Sequence, residues 1–522
     1  MSAIKANQVL NLDGDRIGSV VVDSIANMKN LNTEIEANAT VELLGYHSKG
    51  DGGGGTFYWD SASTEDDNGG TIIEATGVVD GRWIRNYSGA VNVKWFGAVG
   101  DGVVDDSAAF QNALNTASLV KVPQGVYKLN STITLGQCNR LVGESKKFST
   151  NIQGSTLLFG SGVDVGVRIN VVSVAPYFTG GLENLALRAT DYNTTLVNLG
   201  NKDNVIAGEG AWTGTIKDCS FDHANIAILS SHSQSFLIEG NLFKDIPECS
   251  IQYDSTPSSA FITNNQFDMS NPSSQYLTTG IRTKPGTLGG GSNINITHNY
   301  FLNCKYGVWI SGTIGSLINN NTFELCSNES IYLNKYDWVG GNSGETHSNV
   351  VSNNYFIGWG ASATQKAAIK LNTVYNNTFF GNGFVSPWGA GTSDLKIYDF
   401  YEAVSGQLKN NNIEYPIATG TNSEYAKAFP SNSYIQKQFI QGLKGIKMPN
   451  LPYDSSGLDS NWDGMIYKRD DKDNPVIYHQ NYPYHTEIMG AGAIVGTAGA
   501  VTDYVRVHID GVEYALPLHA LS

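Results

Sequence analysis

The chain has 522 residues, among them 58 Gly, and only 16% of its residues are charged. This composition is typical of a β-rich, turn-rich protein that is long enough for more than one domain. The formal net charge of −15 argues against a nucleic-acid partner, which usually requires a basic surface. Because the sequence has no long apolar run and no basic-then-apolar start, we also expect no membrane insertion and no signal peptide.

The cysteines are odd in number and unclustered. They are Cys138, Cys219, Cys249, Cys304 and Cys326. Most stand inside apolar phrases, which indicates buried free thiols of a protein folded in a reducing cytoplasm rather than disulfides or metal ligands. We therefore predict no metal site and no cofactor.

Residues 1–90 predict a separate N-terminal module. Residues 21–31 are compatible with a short helix capped by Asp23 or Ser24. Residues 45–60 contain four consecutive glycines before a strand-like stretch. No Lys-Ser/Thr pair and no helix pattern follow these glycines, so a turn or bulge is favoured over a phosphate-binding loop.

Residues 95–117 predict a Gly-Asp turn followed by an amphipathic helix. Asp105 or Asp106 can cap this helix. Together with Asp101 these residues could also suggest a calcium site, but the capping interpretation is favoured. Residues 121–135 then predict a strand, a Pro-Gly turn and a second strand.

One phrase recurs between residues 218 and 413: a β-type residue, an Asn-rich turn and a Phe. Its copies end at Phe221, Phe243, Phe267, Phe301, Phe323, Phe356, Phe379 and, in a weaker form, Ile413. The shortest intervals are 22 residues, enough for one coil of a parallel β-helix in which equivalent positions stack about 4.8 Å apart. We therefore predict an all-β parallel β-helix over residues 91–422, with the helix of residues 95–117 covering its first coil. The alternative is a β-sandwich with coincidental turns.

The stacked coils predict two ladders. One is the column of Phe side chains inside the β-helix. The other is a column of side-chain amides at the preceding turn, from Asn241, Asn265, Asn299, Asn321, Asn354, Asn377 and Asn411.

A second β-phrase after each Phe predicts an exposed strip, because alternate residues of a strand point outward. The outward column is Ala227, Gln252, Arg282, Trp309, Tyr332, Lys370 and Lys396. Two residues further on, the parallel column is Asp254, Lys284, Ser311, Asn334 and Asn372. Aromatic and polar side chains on one strip favour a glycan-binding face over an ordinary solvated face. Insertions at 200–211, 284–293 and 334–348 would form walls beside it.

Glycoside hydrolysis needs two carboxylates about 5–10 Å apart. The candidates are Asp254 on the strip, Asp337 and Glu345 in the 334–348 loop, and Glu209 in the 200–211 loop. A solvated loop carboxylate is the alternative for each. Trp338 and His347 in the same loop join Gln252, Arg282, Lys284, Trp309, Tyr332 and Lys370 as candidate substrate-binding residues.

A lyase is the alternative chemistry. It would remove a proton next to a uronate carboxylate with a Tyr, His or Lys base, while a cation neutralises the acid. Arg282, Lys284, Tyr332, His347 and Lys370 offer such groups. No acidic triplet on one strand suggests calcium, so a calcium-dependent lyase is disfavoured.

Residues 423–522 predict a β-rich C-terminal module of short strands. The stretch 490–501 is small and apolar, which suits close packing between chains. We expect this module to trimerise the chain and cover the last coil, with a carbohydrate-binding module as the alternative.

The stretches 96–111 and 122–127 resemble the opening of the pectate-lyase-like β-helix domain of bacteriophage tailspikes, and residues 45–60 are similar to the sequence that precedes it. This resemblance implies a right-handed β-helix, a homotrimer, and attachment of the N-terminus to a phage tail or another tail protein. It also implies a place in the virion after synthesis in the host bacterial cytoplasm. The family's catalytic residues vary between members, so the resemblance assigns none.

Together these observations predict a tailspike that binds and depolymerises a host surface polysaccharide, either capsule or O-antigen. Hydrolysis of the glycosidic bond is the favoured reaction. The alternatives are a polysaccharide lyase on the same scaffold and an adhesin that only binds. A plant-cell-wall pectinase is disfavoured by the expected lack of a signal peptide and by the N-terminal module.

Overall fold

The computed structural model describes the N-terminal module and most of the coils that follow it. The described residues are 20–31, 39–146, 148–149, 152–169, 171–172, 180–200, 209–231, 233–254, 259–271, 277–284, 291–337, 343–358, 367–385, 396–401, 411–413, 417–419, 434–435 and the strands beyond 450. The strands beyond 450 are Asn450–Leu451, Ile466–Arg469, Pro475–Ile477, Thr486–Glu487, Asp503–Ile509 and Val512–Leu518.

The N-terminal module is a five-stranded sheet with one short helix. In spatial order its strands are Val20–Val22, Thr40–Leu43, Gly55–Asp60, Arg82–Arg85 and Ile72–Ile73. The helix is Ile25–Lys29, and Ser24 caps it by accepting the backbone N–H of Asn27 at 3.3 Å. In the Gly-rich stretch, the Asp51 carboxylate accepts the backbone N–H groups of Tyr46, His47, Ser48 and Gly53. This stretch is a turn, as the sequence predicts.

Three long parallel sheets follow and form the coils of a parallel β-helix. The first sheet contains Val91–Asn92, Leu119–Val122, Arg140–Gly143, Gly181–Glu183, Thr215–Lys217, Leu237–Glu239, Phe261–Thr263, Asn295–Thr297, Leu317–Asn319, Val350–Ser352, Thr378–Phe380, Asn412–Ile413 and Tyr434–Ile435. The second contains Asp101–Asp105, Gly125–Leu129, Ser155–Phe159, Ala186–Ala189, Ser220–Asp222, Leu242–Lys244, Gln266–Asp268, Tyr300–Leu302, Thr322–Glu324, Tyr355–Ile357, Gly383–Val385 and Ile417–Thr419. The third contains Ile133–Leu135, Val165–Ile169, Thr195–Leu199, Ile226–Ser230, Cys249–Tyr253, Thr279–Thr283, Tyr306–Ser311, Ile331–Asn334, Ala367–Asn372 and Lys396–Tyr401. The all-β fold class is confirmed.

Short additional strands lie at the corners between the three long sheets. They are Phe148–Ser149 with Ile152–Gln153; Val171–Val172, Glu209–Trp212 and Ser233–Gln234; Gly291–Ser292 with Thr313–Ile314; and Tyr336–Asp337 with Ser343–Gly344.

The first coil is covered by a 3₁₀ turn, Val93–Phe96, and the helix Ser107–Thr116. Phe110 and Leu114 of this helix are buried in the core of the β-helix. The Asp105 carboxylate accepts the Ser107 N–H at 3.1 Å, whereas Asp106 accepts the N–H groups of Val99 and Gly100. The two acids are therefore part of the turn and cap structure.

The Phe ladder fills the interior from Phe221 to Phe356. Successive rings lie 4.5 to 5.1 Å apart with planes within 11° of parallel. Glycines in the third sheet make room for the rings: a Cβ on Gly307 would lie 2.4 Å from the Phe323 ring. The Phe column is thus an apolar spine whose neighbours must be small.

The Asn ladder is buried at the turn between the first and second sheets. In each coil the Asn side-chain oxygen accepts both the backbone N–H and the side-chain N–H of the preceding Asn in the column. Its side-chain nitrogen donates to a backbone carbonyl of the first sheet. The column is Asn241, Asn265, Asn299, Asn321, Asn354 and Asn382.

The predicted ladders are wrong in their last coils. The Phe column continues from Phe356 to Phe384, 4.7 Å away, whereas Phe379 pairs with Val351 in the first sheet. Asn377 and Asn411 belong to a second amide column, which begins at Asn349 and precedes the first sheet. Ile413 accordingly pairs with Phe379. The turns before both sheets carry Asn, so the same local phrase fits either position.

Candidate functional site

The outer face of the third sheet carries the predicted strip. Adjacent strands place Leu229, Gln252, Arg282, Trp309, Tyr332, Lys370 and Asp399 in one register. The predicted register is therefore confirmed from Gln252 to Lys370, but Gln252 is buried, not exposed as predicted. It is wrong at both ends: Ala227 is buried in the core, and Lys396 pairs with Ala367. Ala227 and Leu229 flank the same inward Ile228, so alternation alone cannot distinguish them.

A connected polar network occupies one end of the strip. Arg282 Nη2 donates to Glu248 Oε1 at 2.8 Å and also to the Gln252 side-chain oxygen. Gln252 Nε2 in turn donates to Asp254 Oδ1 at 2.5 Å. Asn225 Nδ2 donates to the other Glu248 oxygen at 2.7 Å. Two carboxylates, Glu248 and Asp254, are thus linked through one guanidinium and one amide.

Burial raises the pKa of Asp254 above its usual range. The hydrogen bond from Gln252 and the positive charges of Lys284 and Arg282 act in the opposite direction but do not cancel it. This carboxyl group therefore keeps its proton to a higher pH than an exposed aspartate does.

An aromatic platform continues the strip beyond Arg282. The Trp309 ring lies 5.0 Å from Tyr306 and 5.4 Å from Tyr332 between centroids. Lys370 Nζ lies 5.4 Å from the centre of the Tyr332 ring and 3.6 Å from Glu329 Oε1. Trp309 Nε1 donates to Ser311 Oγ at 3.0 Å. The rings are half-buried and present carbon surface of the kind that stacks on sugar rings.

The residues of the 334–348 loop lie at the corner that follows the strip. The His347 ring stacks on Tyr375 with centroids 4.7 Å apart, and the Tyr375 hydroxyl donates to Glu345. Asp337 is placed by its backbone alone, paired with Ser343. Trp338 lies outside the described residues.

The structure does not place all predicted carboxylates together. Asp254 follows the strand Cys249–Tyr253, whereas Asp337 and Glu345 follow a strand three steps further along the sheet. At about 4.8 Å per step, that is roughly 14 Å along the axis. Glu209, placed by its backbone, lies in the short three-stranded sheet at the earlier corner. Lys284 follows directly after the strand that holds Arg282 and influences the pKa of Asp254.

Glu248 is the residue that sequence reasoning missed. It immediately precedes a strand of the third sheet, where its position is equivalent to Asn225 and Thr278 in the neighbouring coils. A register of these pre-strand residues would have identified it as a neighbour of the strip.

Among the described residues, no group of three or more His, Cys, Asp or Glu side chains is arranged to hold a metal ion. The described part of the chain also contains no helix that is long and apolar enough to cross a membrane.

Two protein families match consecutive parts of the chain. Residues 21–88 match the phage tail protein small four-stranded β-sheet domain. Residues 90–359, more than half of the chain, match the family described as rhamnogalacturonase A/epimerase, pectate lyase-like. The chain belongs to this pectate lyase-like family. The resemblance to the β-helix domain of bacteriophage tailspikes is thereby confirmed.

Known proteins are similar in sequence to parts of this pectate lyase-like chain. A glucan 1,3-beta-glucosidase of Cochliobolus carbonum is 31% identical over 121 residues, 17% of this chain and 15% of the relative. The preneck appendage protein of Bacillus phage PZA is 35% identical over 82 residues, 15% of this chain and 10% of the relative. The chain therefore spans only a small part of either relative.

A solved tailspike has the same fold. The full-length tailspike protein 2 from Escherichia coli O157:H7 bacteriophage CAB120 aligns with a TM-score of 0.56 and 17% sequence identity. The alignment covers 76% of this chain and 51% of that one. At this identity the likeness shows the shared architecture.

Proposed function

We propose that this protein is a phage tailspike that binds a bacterial surface polysaccharide and cleaves it by glycosidic hydrolysis. The observation that carries the proposal is the network of Glu248, Arg282, Gln252 and Asp254, which lies beside the aromatic platform on the outer face of the third sheet. The phage tail domain at 21–88 and the pectate lyase-like β-helix support the context. The crystallised fragment of the similar tailspike protein 2 is described as its enzymatically active domain.

In this proposal Asp254 is the general acid. Its raised pKa keeps the proton that the leaving sugar oxygen requires. Glu248, held by Arg282 and Asn225, is the second carboxylate and activates water. The hydrogen bonds that join the two carboxylates limit their separation to roughly 10 Å, within reach of a pair that admits a water molecule between them.

The aromatic platform would hold the polysaccharide beside this pair. Trp309 and Tyr332 stack on sugar rings, and Lys370 binds polar substituents. Gln252, which is 4% exposed and bonded to both Arg282 and Asp254, positions those two side chains. Asp337, Glu345 and Glu209 are secondary catalytic candidates. Glu345, with His347 and Trp338, would bind the chain where it leaves the strip.

Assembly is a further part of the proposal. The N-terminal module would attach the protein to the phage tail, which places it in the virion after synthesis in the host cytoplasm. The C-terminal module would hold three copies of the chain together. It would also cover the last coil, whose strand edges would otherwise be exposed.

Replacing Asp254 with asparagine tests the hydrolytic proposal. The substitution keeps the shape but removes the proton, so we expect depolymerisation to fall by about 10²–10⁴-fold. Size-exclusion chromatography of capsule and O-antigen from candidate hosts, before and after incubation, measures the loss of polymer mass. Asp268→Asn, the same change on the second sheet, is the matched control and should leave the rate unchanged.

The products distinguish the alternatives. Unsaturated uronate ends, detected by ultraviolet absorbance, would contradict hydrolysis and support a lyase. Binding without any loss of mass by the wild-type protein would support the adhesin. Full activity of Asp254→Asn would remove Asp254 from the reaction.

The acid role also predicts a pH profile. Because burial raises the pKa of Asp254, activity should persist above the usual aspartate range and fall as pH rises through the raised value. Lys284 lowers that pKa, so Lys284→Met should move the falling limb to higher pH. Lys244→Met, at an exposed position on the second sheet, should leave it in place. An unmoved limb in Lys284→Met would count against Asp254 as the acid.

A further inference from the structure

A cleft lies between the N-terminal module and the helix Ser107–Thr116 that covers the first coil. Its volume is about 690 Å³, within the range of sites that hold small organic ligands. One wall is a turn of the N-terminal module, and the other is the solvent side of the helix. The lining includes Asp66, Asn68, Thr71, Tyr87, Asn112 and Asn115.

Hydrogen bonds hold both walls of this cleft in place. Asn68 Oδ1 accepts three backbone N–H groups of its turn, and Asn68 Nδ2 donates to Thr71 Oγ1 at 2.8 Å. On the helix, Gln111 Oε1 accepts the Thr134 N–H at 2.9 Å, which fixes the orientation of the Gln111 amide. Gln111 Nε2 then donates to Asn115 Oδ1 at 2.9 Å. The polar groups of both walls are therefore preorganised.

Four polar groups on these walls remain able to bind a ligand. Thr71 is 4% exposed, and its hydroxyl accepts Asn68 Nδ2 but donates to no group among the described residues. Asn115 uses its oxygen within the helix and keeps its N–H groups as donors. The Asn112 amide and the Asp66 carboxylate make no side-chain hydrogen bond within the described part of the chain.

The lining indicates the class of ligand. Among the described residues no Lys or Arg lines the cleft, and the Asp66 carboxylate in a chain of net charge −15 disfavours an anion. The amide and hydroxyl donors disfavour a divalent cation, which needs oxygen acceptors. A molecule with many hydroxyl groups can use both the donors and the carboxylate.

An aromatic ring completes the lining. Tyr87 belongs to the segment that joins the N-terminal module to the β-helix, and its side chain is exposed. Its ring packs edge-to-face on Trp95 with centroids 5.5 Å apart. The ring is therefore held at the cleft and offers carbon surface to the C–H groups of a sugar.

We propose that this cleft, named the junction cleft, is a binding site for a neutral sugar that is separate from the strip on the third sheet. Asp66 accepts sugar hydroxyl groups, Thr71 and Asn115 donate to them, and the Asn112 amide does both. The inference goes beyond the proposed function and does not depend on it, because no residue of the hydrolytic network lines the cleft. A glycan bound here is held at the base of the β-helix and is not cleaved.

Saturation-transfer NMR with full-length protein tests the site. The protein carries Trp309→Ala, which removes the central ring of the strip. The probes are the methyl glycosides of glucose, galactose, rhamnose and N-acetylglucosamine. We expect at least one of them to bind with a Kd of about 1 mM, which is usual for a ligand of this size. Methyl glucuronide, which differs from methyl glucoside by a carboxylate, should bind at least about threefold more weakly because it faces Asp66.

Variants of the helix locate the bound sugar. Asn112→Ala removes the amide from an exposed position and should weaken binding about fivefold. Asn112→Trp fills the cleft and should abolish binding. Ala108→Trp adds the same bulk one turn earlier, at an exposed position outside the lining, and should leave the affinity unchanged. All three variants should keep the melting temperature of the parent protein, because these side chains are exposed.

Competition identifies the source of the sugar. Displacement of the methyl glycoside by intact host capsule or O-antigen would assign the junction cleft to the polysaccharide that the strip binds. Displacement by peptidoglycan fragments alone would assign it to a different glycan of the cell envelope.

Three results would overturn the junction cleft. They are binding that survives Asn112→Trp, no signal from any neutral sugar, and tighter binding of methyl glucuronide than of methyl glucoside. Cleavage of polysaccharide is measured separately with Trp309 intact. Unchanged cleavage by Asn112→Trp together with lost sugar binding supports the junction cleft and leaves the hydrolase in place.

Discussion

Replacing Asn299 with aspartate is expected to destabilise the β-helix by about 3–5 kcal/mol, because it places an uncompensated charge in a buried hydrogen-bond network. Asn299 is 2% exposed. Its side-chain nitrogen donates to Ile262 O at 2.8 Å and to Asn321 Oδ1 at 3.0 Å. Its oxygen accepts two bonds from Asn265. Aspartate keeps the acceptor but loses both donated bonds and points an oxygen at two other oxygens.

The effect should depend on pH in a defined direction. Burial raises the pKa of an introduced carboxyl group above its unfolded value, so the protonated form is the one the folded state tolerates. The loss of stability should therefore be largest at neutral pH and partly recovered as pH falls below the raised pKa. Thermal unfolding followed by circular dichroism across a pH series measures both parts.

The matched control is Asn320→Asp. Asn320 is the neighbour of a ladder residue but is exposed, and its side chain makes one long contact, 3.4 Å to His298. The same chemical change there should cost less than about 0.5 kcal/mol. Equal losses at Asn299 and Asn320 would show that the ladder does not stabilise the coils.

The ladders show what the sequence could and could not predict. From Phe221 to Phe356 the phrase of turn and Phe recurs because each coil places the same side chain in the same column. The prediction fails at Phe379 because two different turns of one coil each contain a buried Asn side chain. Asn377 lies in the turn before the first sheet and Asn382 in the turn before the second. Only the pairing between strands distinguishes them.

The candidate site divides in the same way. Gln252, Arg282 and Trp309 could be aligned because the inward residues of a strand fix the outward ones. Glu248 precedes its strand, and alternation says nothing about the direction of a turn side chain. Its place in the network depends on Arg282, 34 residues later in the chain. The pattern of residues around Glu248 therefore cannot predict its contact with Arg282.

The loop carboxylates were difficult to place for a different reason. The position of Glu345 depends on how its insertion folds back on the corner. There its partner is the Tyr375 hydroxyl of the next coil. Sequence spacing gives the number of coils between Asp254 and Glu345 but not the direction in which the insertion leaves the sheet.

Replacing Arg85 with alanine is expected to destabilise the N-terminal module by about 3–5 kcal/mol and to loosen its junction with the β-helix. Arg85 is 3% exposed, and its guanidinium donates to the carbonyl oxygens of Gly53, Gly54 and Gly70 at 2.8 to 2.9 Å. The group lies 4.5 Å from the centre of the Phe57 ring and 4.6 Å from that of Trp95. Phe57 belongs to the N-terminal sheet and Trp95 to the 3₁₀ turn that opens the β-helix, so one side chain joins the two parts.

Burial lowers the pKa of Arg85 to about 10, so the side chain still carries its charge at neutral pH. Alanine would leave the carbonyl groups of Gly53 and Gly70, which are buried, and of Gly54, which is half-buried, without these donors and would open a space between the rings. Arg85→Lys should restore little of the lost stability, because one ammonium group cannot donate in the three directions that the guanidinium serves.

Arg82→Ala is the control that distinguishes a loosened junction from a destabilised N-terminal sheet. Arg82 also donates to three backbone carbonyl groups, those of Glu65, Val79 and Gly81, but these all lie within the N-terminal module. Both variants should lower the melting temperature of the module. Only Arg85→Ala should accelerate hydrogen exchange at residues 93–97, because of these two arginines only Arg85 contacts the opening turn of the β-helix. Equal exchange at 93–97 in the two variants would show that the junction is held by other contacts, such as His47 Nε2 to Gly97 O at 2.8 Å.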